Sequence, residues 1–255
     1  MNIVLFRPDE DRTRLSSSDD RTLHIKKVLR ARPGDEIRCG ILGENLYRAT
    51  VAEMDEEGIS LQPIRGSEEA SVQPVQLRLA IGHPRPLVLQ RLFRDLSSLG
   101  IAGIDIFTGE LSEKSYMKSS LWKNPERYLM DGAMQGGITH IPDLHTHENL
   151  EALIPGVSSS EILFIADTPG SLSDEVYTCT LMEAAEVMKE RGCRSAGIVI
   201  GPERGFSLHE REITKRFPRL VLGDTILRTE VAAGTAAVFL SQQLRRIEKD
   251  ERTDC

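Results

Sequence analysis

Two glycine-containing loops at strand-to-helix junctions are the segments whose residue types best suit the binding of a small molecule. One of them, IGPERGFS at residues 200–207, follows an apolar run and precedes a charged, helix-like segment. Gly201 and Gly205 allow a positive φ or close approach of a ligand to the backbone, and Pro202 stiffens the bend. The loop matches neither GxGxxG nor GxxxxGK(S/T), so it predicts neither a dinucleotide site nor a nucleoside triphosphate site. A Gly-Pro turn by itself is more often only a turn.

The other loop, LGDTILRTE at residues 222–230, follows the strand-like LVL and leads into an alanine-rich helix. Thr229 has the residue type of a helix N-cap. The small residues at 232–237 permit close approach by a cofactor, a neighbouring loop or a second subunit. Tight packing of this helix against a sheet is the structural alternative, and both uses can coexist.

The elements that position these loops belong to two types of segment. The first 70 residues read as short strands and turns with one helix, capped by Asp19 or Asp20 and running to about Ala31, which predicts a small β-barrel with a helix against it. From Val75 onward strands alternate with longer helices, which predicts an α/β fold with a mostly parallel sheet. A polar boundary at 66–74 therefore separates domains at 1–70 and 75–250.

Within the second domain, one predicted helix depends on acidic residues in its first turn. Ser173 is taken as its first residue, Asp174 and Glu175 favour the helix dipole, and Gly192 marks its end.

Composition limits the class of protein. Of the 255 residues, 40% are apolar and 28% charged, as in ordinary soluble globular proteins, and no apolar run approaches the roughly 20 residues of a membrane span. The four cysteines lack CxxC spacing, which predicts a reducing cytoplasm and no metal site. The net charge of −7 argues against a protein coated in nucleic acid. The basic stretch 24–32 contains no acid, and it is either a solvated helix face or a contact for phosphate.

Taken together, the motifs resemble one known family. IGPERGFS followed by LVLGDTILRTEVAA resembles the RsmE family of 16S ribosomal RNA (uracil-N3)-methyltransferases, in the SPOUT superfamily. The N-terminal LHIKKVLRARPGDEI, with His24, Gly34 and Asp35, is similar to the RNA-binding domain of that family. The resemblance spans both predicted domains.

The resemblance implies a PUA-like barrel followed by a SPOUT domain, in which a mostly parallel sheet carries a trefoil knot. It also implies a homodimer, and S-adenosylmethionine held among three loops, IADTP at 165–169 and the two loops above. The cofactor-binding residues implied are Ile165, Ala166, Asp167, Ile200, Gly201, Pro202, Glu203, Gly205, Leu222, Gly223, Ile226, Leu227, Thr229 and Ala232.

The activity implied is methylation of N3 of a uridine in 16S ribosomal RNA of the small subunit. For this chemistry we expect Arg228 to contact a substrate anion or phosphate, although a salt bridge to Glu203 or Glu230 is an equal alternative. Glu230 either orients Arg228 in catalysis or favours the helix dipole. The predicted RNA-binding residues are Arg7, Lys26, Lys27 and Arg30. His24 is expected to be a hydrogen-bonded structural residue.

The chain departs from the family pattern in two places. Arg204 replaces one glycine of a double glycine, and it would be strained if that position needs a positive φ. The segments RDLSSLG and AMQGGITHIP lack polar residues that relatives carry there. Two alternatives therefore stay open: methylation of another RNA position, such as a ribose 2′-hydroxyl, or a non-catalytic RNA-binding factor for ribosome assembly.

Overall fold

The computed structural model describes residues 3–156, 161–168 and 177–253, with the side chains of the last two of these residues left aside. Within these residues no helix is long and apolar enough to cross a lipid bilayer.

A five-stranded sheet forms the N-terminal part of the molecule. Its strands are β1 (Val4–Phe6), β2 (Arg14–Ser16), β3 (Glu36–Ile41), β4 (Leu46–Met54) and β5 (Gly58–Pro63), in the order β1-β3-β4-β5-β2. The first pair is parallel and the others are antiparallel. All five strands contribute apolar side chains to one core, which agrees with the predicted small β-barrel.

The helix of this part is shorter than the sequence predicts. Helix α1 (Asp20–Leu23) is capped by the Asp19 side chain, which accepts a hydrogen bond from the Arg21 amide, and a wider π-helical turn continues through His24–Leu29. Arg30 then has a φ of 54°, in the left-handed region, so the helix ends at Leu29, two residues before the predicted end.

A seven-stranded sheet, parallel throughout, forms the rest of the molecule. Its strands are β6 (Val75–Gly82), β7 (Ile101–Phe107), β8 (Asp143–His147), β9 (Ile162–Ala166), β10 (Thr178–Thr180), β11 (Ala196–Ile200) and β12 (Arg219–Val221). Their order is β10-β12-β9-β11-β6-β7-β8. The predicted α/β architecture with a mostly parallel sheet is confirmed.

Helices cover both faces of this sheet. They are α2 (Pro86–Ser98), α3 (Glu126–Gly136), α4 (Leu150–Leu153), α5 (Leu181–Glu190), α6 (Leu208–Ile213) and α7 (Thr229–Thr253). The larger core lies between the sheet and the apolar faces of α2, α5 and α7, and a smaller core lies beneath α4 and α6 on the opposite face.

The prediction of a helix between Ser173 and Gly192 is wrong over part of its length. Ser173, Asp174 and Glu175 lie outside the described residues, but Thr178–Thr180 is strand β10, paired with β12. Helix α5 begins only after Thr180, whose side chain forms a reciprocal capping box with Glu183. Two β-branched residues favour the strand, and the capping box fixes the later start.

Helix α3 and the turn after it connect the two sheets. We call this contact the α3 joint; its residues are Ile3, Leu5, Leu46, Ala133, Ile138 and Thr139. The Thr139 hydroxyl donates to the Glu44 carbonyl at 2.5 Å, and the Thr139 carbonyl accepts from the Gly43 amide at 2.7 Å. The unusual GGIT of the sequence therefore lies against the N-terminal sheet.

Candidate active site

Three loops meet at the carboxyl ends of neighbouring strands and enclose a cavity of about 540 Å³. They follow β9, β11 and β12, which are adjacent in the sheet order, and we call them the first loop (after β9), the second loop (IGPERGFS, after β11) and the third loop (LGDTILRTE, after β12). The carboxyl ends of parallel strands open at one edge of a sheet, so loops distant in sequence come together there. The start of α2 supplies the remaining wall, through Arg85 and Val88.

The structure brings most of the predicted site residues together. Those that line the cavity are Ala166, Asp167, Ile200, Gly201, Pro202, Glu203, Gly205, Leu222, Gly223, Ile226, Leu227, Arg228, Thr229, Glu230 and Ala232. Ile165 does not line it: it is fully buried and packs in the core beneath α4 and α6. Because side chains alternate along a strand, Ile165 faces away from its neighbour Ala166.

Glycines outside the predicted loops hold the second loop in place. A Cβ added to Gly82, at the end of β6, would lie 2.5 Å from the backbone nitrogen of Pro202. A Cβ on Gly109, after β7, would lie 3.0 Å from Cγ of Pro202. Neither glycine was predicted from the sequence, where the only signal is a glycine at the end of an apolar strand or shortly after it.

The backbone of the second loop accommodates its arginine without strain. Gly205 has a φ of 73°, whereas Arg204 is not among the described residues with a positive φ. The position that requires glycine is therefore still glycine, and Arg204 presents an exposed cation beside it.

The charged residues of the cavity differ in their pairing. Glu203 forms an ion pair with Arg85, with 3.4 Å between Oε2 and Nε. Within the described residues Arg228 has no carboxylate within ion-pair distance, so neither salt bridge considered for it is formed there. Glu230 lies in the first turn of α7, where a negative charge is favourable to the helix dipole.

Arg211 ties the first loop to the second, and sequence reasoning missed it. Its guanidinium faces the nearly buried carboxylate of Asp167, with Nη1 at 3.0 Å from Oδ2 and Nη2 donating to Oδ1 at 3.1 Å. Its Nε donates to the carbonyl of Phe206 at 3.4 Å. The Arg211 side chain, on α6, therefore contacts Asp167 of the first loop and Phe206 of the second.

The buried Arg219 stabilises the position of Arg211 through hydrogen bonds within the same region. Its Nη2 donates to the Arg211 carbonyl and to the Thr214 hydroxyl, both at 3.0 Å. Burial lowers the pKa of Arg219 from its ordinary value, and nearby Asp167 opposes that shift.

His83 and Trp122 fix the chain leading to the α2 wall. The Trp122 Nε1–H donates to His83 Nε2 at 3.2 Å, so we assign the ring proton to His83 Nδ1, which donates to the Pro84 carbonyl at 2.7 Å. Burial lowers the pKa of His83 below its ordinary value, which favours this neutral form.

The predicted RNA-binding residues lie away from the cavity, on the N-terminal part. Arg7 forms an ion pair with Glu126 at 2.7 Å, and the Lys26 ammonium donates to the Asp55 carbonyl at 3.3 Å. Lys27 and Arg30 are exposed.

His24 is not the hydrogen-bonded residue that was expected. Its Nε2 is buried and has no hydrogen-bond partner among the described residues, and burial lowers the pKa of the ring. Those residues also contain no group of three His, Cys, Asp or Glu side chains arranged to hold a metal ion.

Comparisons with known proteins match both parts of the chain to domains of RNA methyltransferases. The family model for the RNA methyltransferase domain matches residues 71–242, and that for the RNA methyltransferase PUA domain matches residues 18–64. Ribosomal RNA small subunit methyltransferase E 1 of Borreliella burgdorferi is 30% identical over 251 residues, 96% of this chain and 99% of that protein. Ribosomal RNA small subunit methyltransferase E of Treponema pallidum is 31% identical over 253 residues, 94% of this chain and 90% of that protein.

Solved structures share the fold over nearly the whole chain. A Legionella pneumophila methyltransferase with bound SAM superposes with a TM-score of 0.74 at 20% identity, over 95% of this chain and 98% of that one. Ribosomal RNA small subunit methyltransferase E of Neisseria gonorrhoeae, bound to S-adenosyl methionine, gives 0.71 at 17% identity, over 94% and 97%. The protein described here therefore belongs to the RNA methyltransferase family that includes ribosomal RNA small subunit methyltransferase E.

Proposed function

We propose that this protein transfers a methyl group from S-adenosylmethionine to N3 of a uridine in 16S ribosomal RNA. The observation that carries the proposal is that the three loops line one shared cavity. The chain that carries this cavity belongs to the family of ribosomal RNA small subunit methyltransferase E. The cofactor is taken from the relatives solved with SAM, and the uracil N3 target from the RsmE resemblance.

The residues of the cavity fit this cofactor. Its volume of about 540 Å³ lies within the roughly 300–1,000 Å³ of small-molecule sites. Val88, Ile226 and Leu227 offer apolar side chains to an adenine ring, and a Cβ on Gly223 would meet only open space, so its backbone is accessible. When bound, S-adenosylmethionine supplies a methyl group made electrophilic by the adjacent sulfonium.

We assign the substrate side of the cavity to Arg228 and Glu230. Uracil N3 becomes nucleophilic only as its proton leaves, which places negative charge on the ring carbonyl oxygens. Arg228, exposed at the cavity, can stabilise that charge. We assign to Glu230, which is not paired with Arg228 in this structure, the orientation of the guanidinium once the RNA is bound.

The Arg228→Ala variant tests this assignment. We expect kcat to fall by about 10²- to 10³-fold, the usual cost of removing a preorganised donor to a developing oxyanion. The melting temperature should change little, because the side chain is exposed. Equal activity of the two proteins would reject the role of Arg228.

The remaining assignments follow from the same proposal. Residues 1–70 form the PUA-like RNA-binding domain, with Arg7, Lys26, Lys27 and Arg30 on phosphates, and residues 75–250 form the methyltransferase domain. We also assign to the protein a homodimer, the trefoil knot of SPOUT enzymes and a cytoplasmic location. Support for the division comes from the separate cores of the two sheets.

Mapping of the methyl mark tests the function itself. 16S ribosomal RNA from a strain lacking the gene should lose one base methylation, detected by nuclease digestion and mass spectrometry, and the cloned gene should restore it. A lost methyl group on a ribose would favour the 2′-hydroxyl alternative. An unchanged methylation pattern, with no cofactor binding by calorimetry, would favour the non-catalytic assembly factor.

A further inference from the structure

A segment of the chain outside the three loops carries unpaired positive charge. Residues 114–127, which we call the lysine segment, contain Lys114, Lys118, Lys123 and Arg127 but only one acid, in a chain with a net charge of −7. The three lysines are exposed, and none has an ion-pair partner among the described residues.

The acids in and beside the lysine segment are already engaged. Glu113 accepts a hydrogen bond from the Ser115 amide at 3.3 Å and so caps the first turn. Glu126 pairs with Arg7 at 2.7 Å. Neither carboxylate therefore forms an ion pair with a lysine of the segment.

Two aromatic residues of the lysine segment pack beside the chain that leads to the cavity. The rings of Tyr116 and Trp122 pack against His83, with centroids 5.9 and 5.5 Å apart. Through His83 the segment contacts the chain that leads to Arg85, a residue of the cavity wall.

The last residue of the lysine segment contacts the N-terminal part of the molecule. Arg127 forms an ion pair with Asp20, in the first turn of α1, at 2.8 Å. The same helical region carries Lys26 and Lys27. The lysine segment thus spans the distance between the cavity and the proposed RNA-binding surface.

We propose that the lysine segment binds the phosphate backbone of the substrate RNA between the N-terminal domain and the cavity. This proposal rests on the proposed function, because it concerns the substrate of the same site. The contact is with phosphates rather than bases: Trp122 uses its N–H on His83 and packs edge-on against Phe93, so its ring is committed to the fold.

The triple variant K114Q/K118Q/K123Q tests the proposal in the full-length protein. Filter binding to protein-free 16S ribosomal RNA, transcribed in vitro, is measured from 50 to 300 mM KCl. We expect Kd to rise at least about 10-fold at 100 mM, and the slope of log Kd against log salt to fall by about two to three. Calorimetry should show unchanged affinity for S-adenosylmethionine.

Two control proteins separate this effect from general loss of charge or of folding. K189Q/R191Q/R194Q removes three exposed cations between the last turn of α5 and the amino end of β11, at the edge of the sheet opposite the one where the cavity opens, and should bind RNA as the unaltered protein does. K114R/K118R/K123R keeps the charge and should also retain affinity.

The proposal is overturned if the glutamine variant keeps the original affinity and salt slope, or if the opposite-edge variant loses as much. Methyl transfer is assayed separately with unaltered protein. Its absence would reject the proposed function, whereas the RNA-binding comparison would still decide the role of the lysine segment.

Discussion

The cavity and the α3 joint both connect distant parts of the chain, but they do so through different chemistry. At the cavity the backbone itself makes close contacts: Gly82 has no room for a Cβ beside Pro202. At the joint, Ile138 and Leu46 pack through apolar side chains. A close backbone contact tolerates one residue type, whereas a packed apolar contact tolerates several of similar volume. The cavity therefore leaves a recognisable sequence pattern, and the joint does not.

The largest effect is expected where a charge ties two cavity loops together. Replacement of Arg211 by Met leaves the Asp167 side chain, only 4% exposed, without its cation. Breaking such a pair lowers the free energy of unfolding by about 3–5 kcal/mol. Because the first and second loops are then no longer joined, cofactor affinity should also fall at least about 10-fold. Urea unfolding and calorimetry measure the two effects.

The matched control for this variant is Arg216→Met. Arg216 is exposed and lies over the ring of the neighbouring Phe217, at 4.8 Å. We expect a change of less than about 0.5 kcal/mol and unaltered cofactor affinity. Equal losses in the two variants would contradict the role of Arg211.

The α3 joint and the cavity are distinguished further by variants that change the stability of the protein and its affinity for the cofactor separately. Ile138→Ala in the joint should lower the free energy of unfolding by about 2–4 kcal/mol, because it removes a buried side chain. Cofactor affinity should stay within about twofold, since each tenfold change requires 1.4 kcal/mol at the cavity itself.

The reverse result is expected for Ile226→Ala. This side chain lines the cavity but is 79% exposed, so its loss should weaken cofactor binding while leaving stability nearly unchanged. If Ile138→Ala impaired binding as much as Ile226→Ala, the two regions would not be independent.

A smaller effect is expected from one methyl group at the base of the second loop. The Cβ of Gly82→Ala must displace the Pro202 backbone, and such overpacking costs about 1–3 kcal/mol. If the loop absorbs that strain, the Kd for S-adenosylmethionine should rise about 10- to 100-fold. Gly156→Ala, where a Cβ meets nothing within 4 Å, serves as the control. Normal binding by the Gly82 variant would show that the loop position is not needed.

The smallest effect concerns pH. Burial lowers the pKa of His83 in the folded protein, whereas the unfolded chain has the ordinary value of about 6.5. The unfolded state therefore takes up the proton first, so this contribution to stability is complete above about pH 6.5 and is lost as the pH falls further. NMR titration of the ring should give a pKa below the ordinary value. A raised pKa would contradict the neutral form that accepts from Trp122.

The sequence predicted the parts of the molecule in which local chemistry decides the structure. The parallel sheet followed from alternating strands and helices. The start of the last helix followed from residue type to within one position, because Thr229, predicted as its N-cap, is its first residue. Strand β10 was missed because three residues do not reveal a partner 41 positions later. Strand β8 was missed because its edge position leaves it polar.

The candidate site was predictable only in its loops. Their glycines, Pro202 and Arg228 are recognisable from residue type and order. Arg211 was not, because its partners Asp167 and Phe206 come together only after the strands have paired. The lysine segment was likewise not predicted, because its position depends on contacts with His83 and Asp20, which are distant in sequence.

A crystal structure of the protein grown with S-adenosylmethionine tests the central claim most directly. We predict density for the cofactor in the cavity between Gly201, Gly223 and Thr229, with the methyl group facing Arg228. Cofactor bound outside the three loops, or a cavity that stays empty at millimolar cofactor, would contradict it.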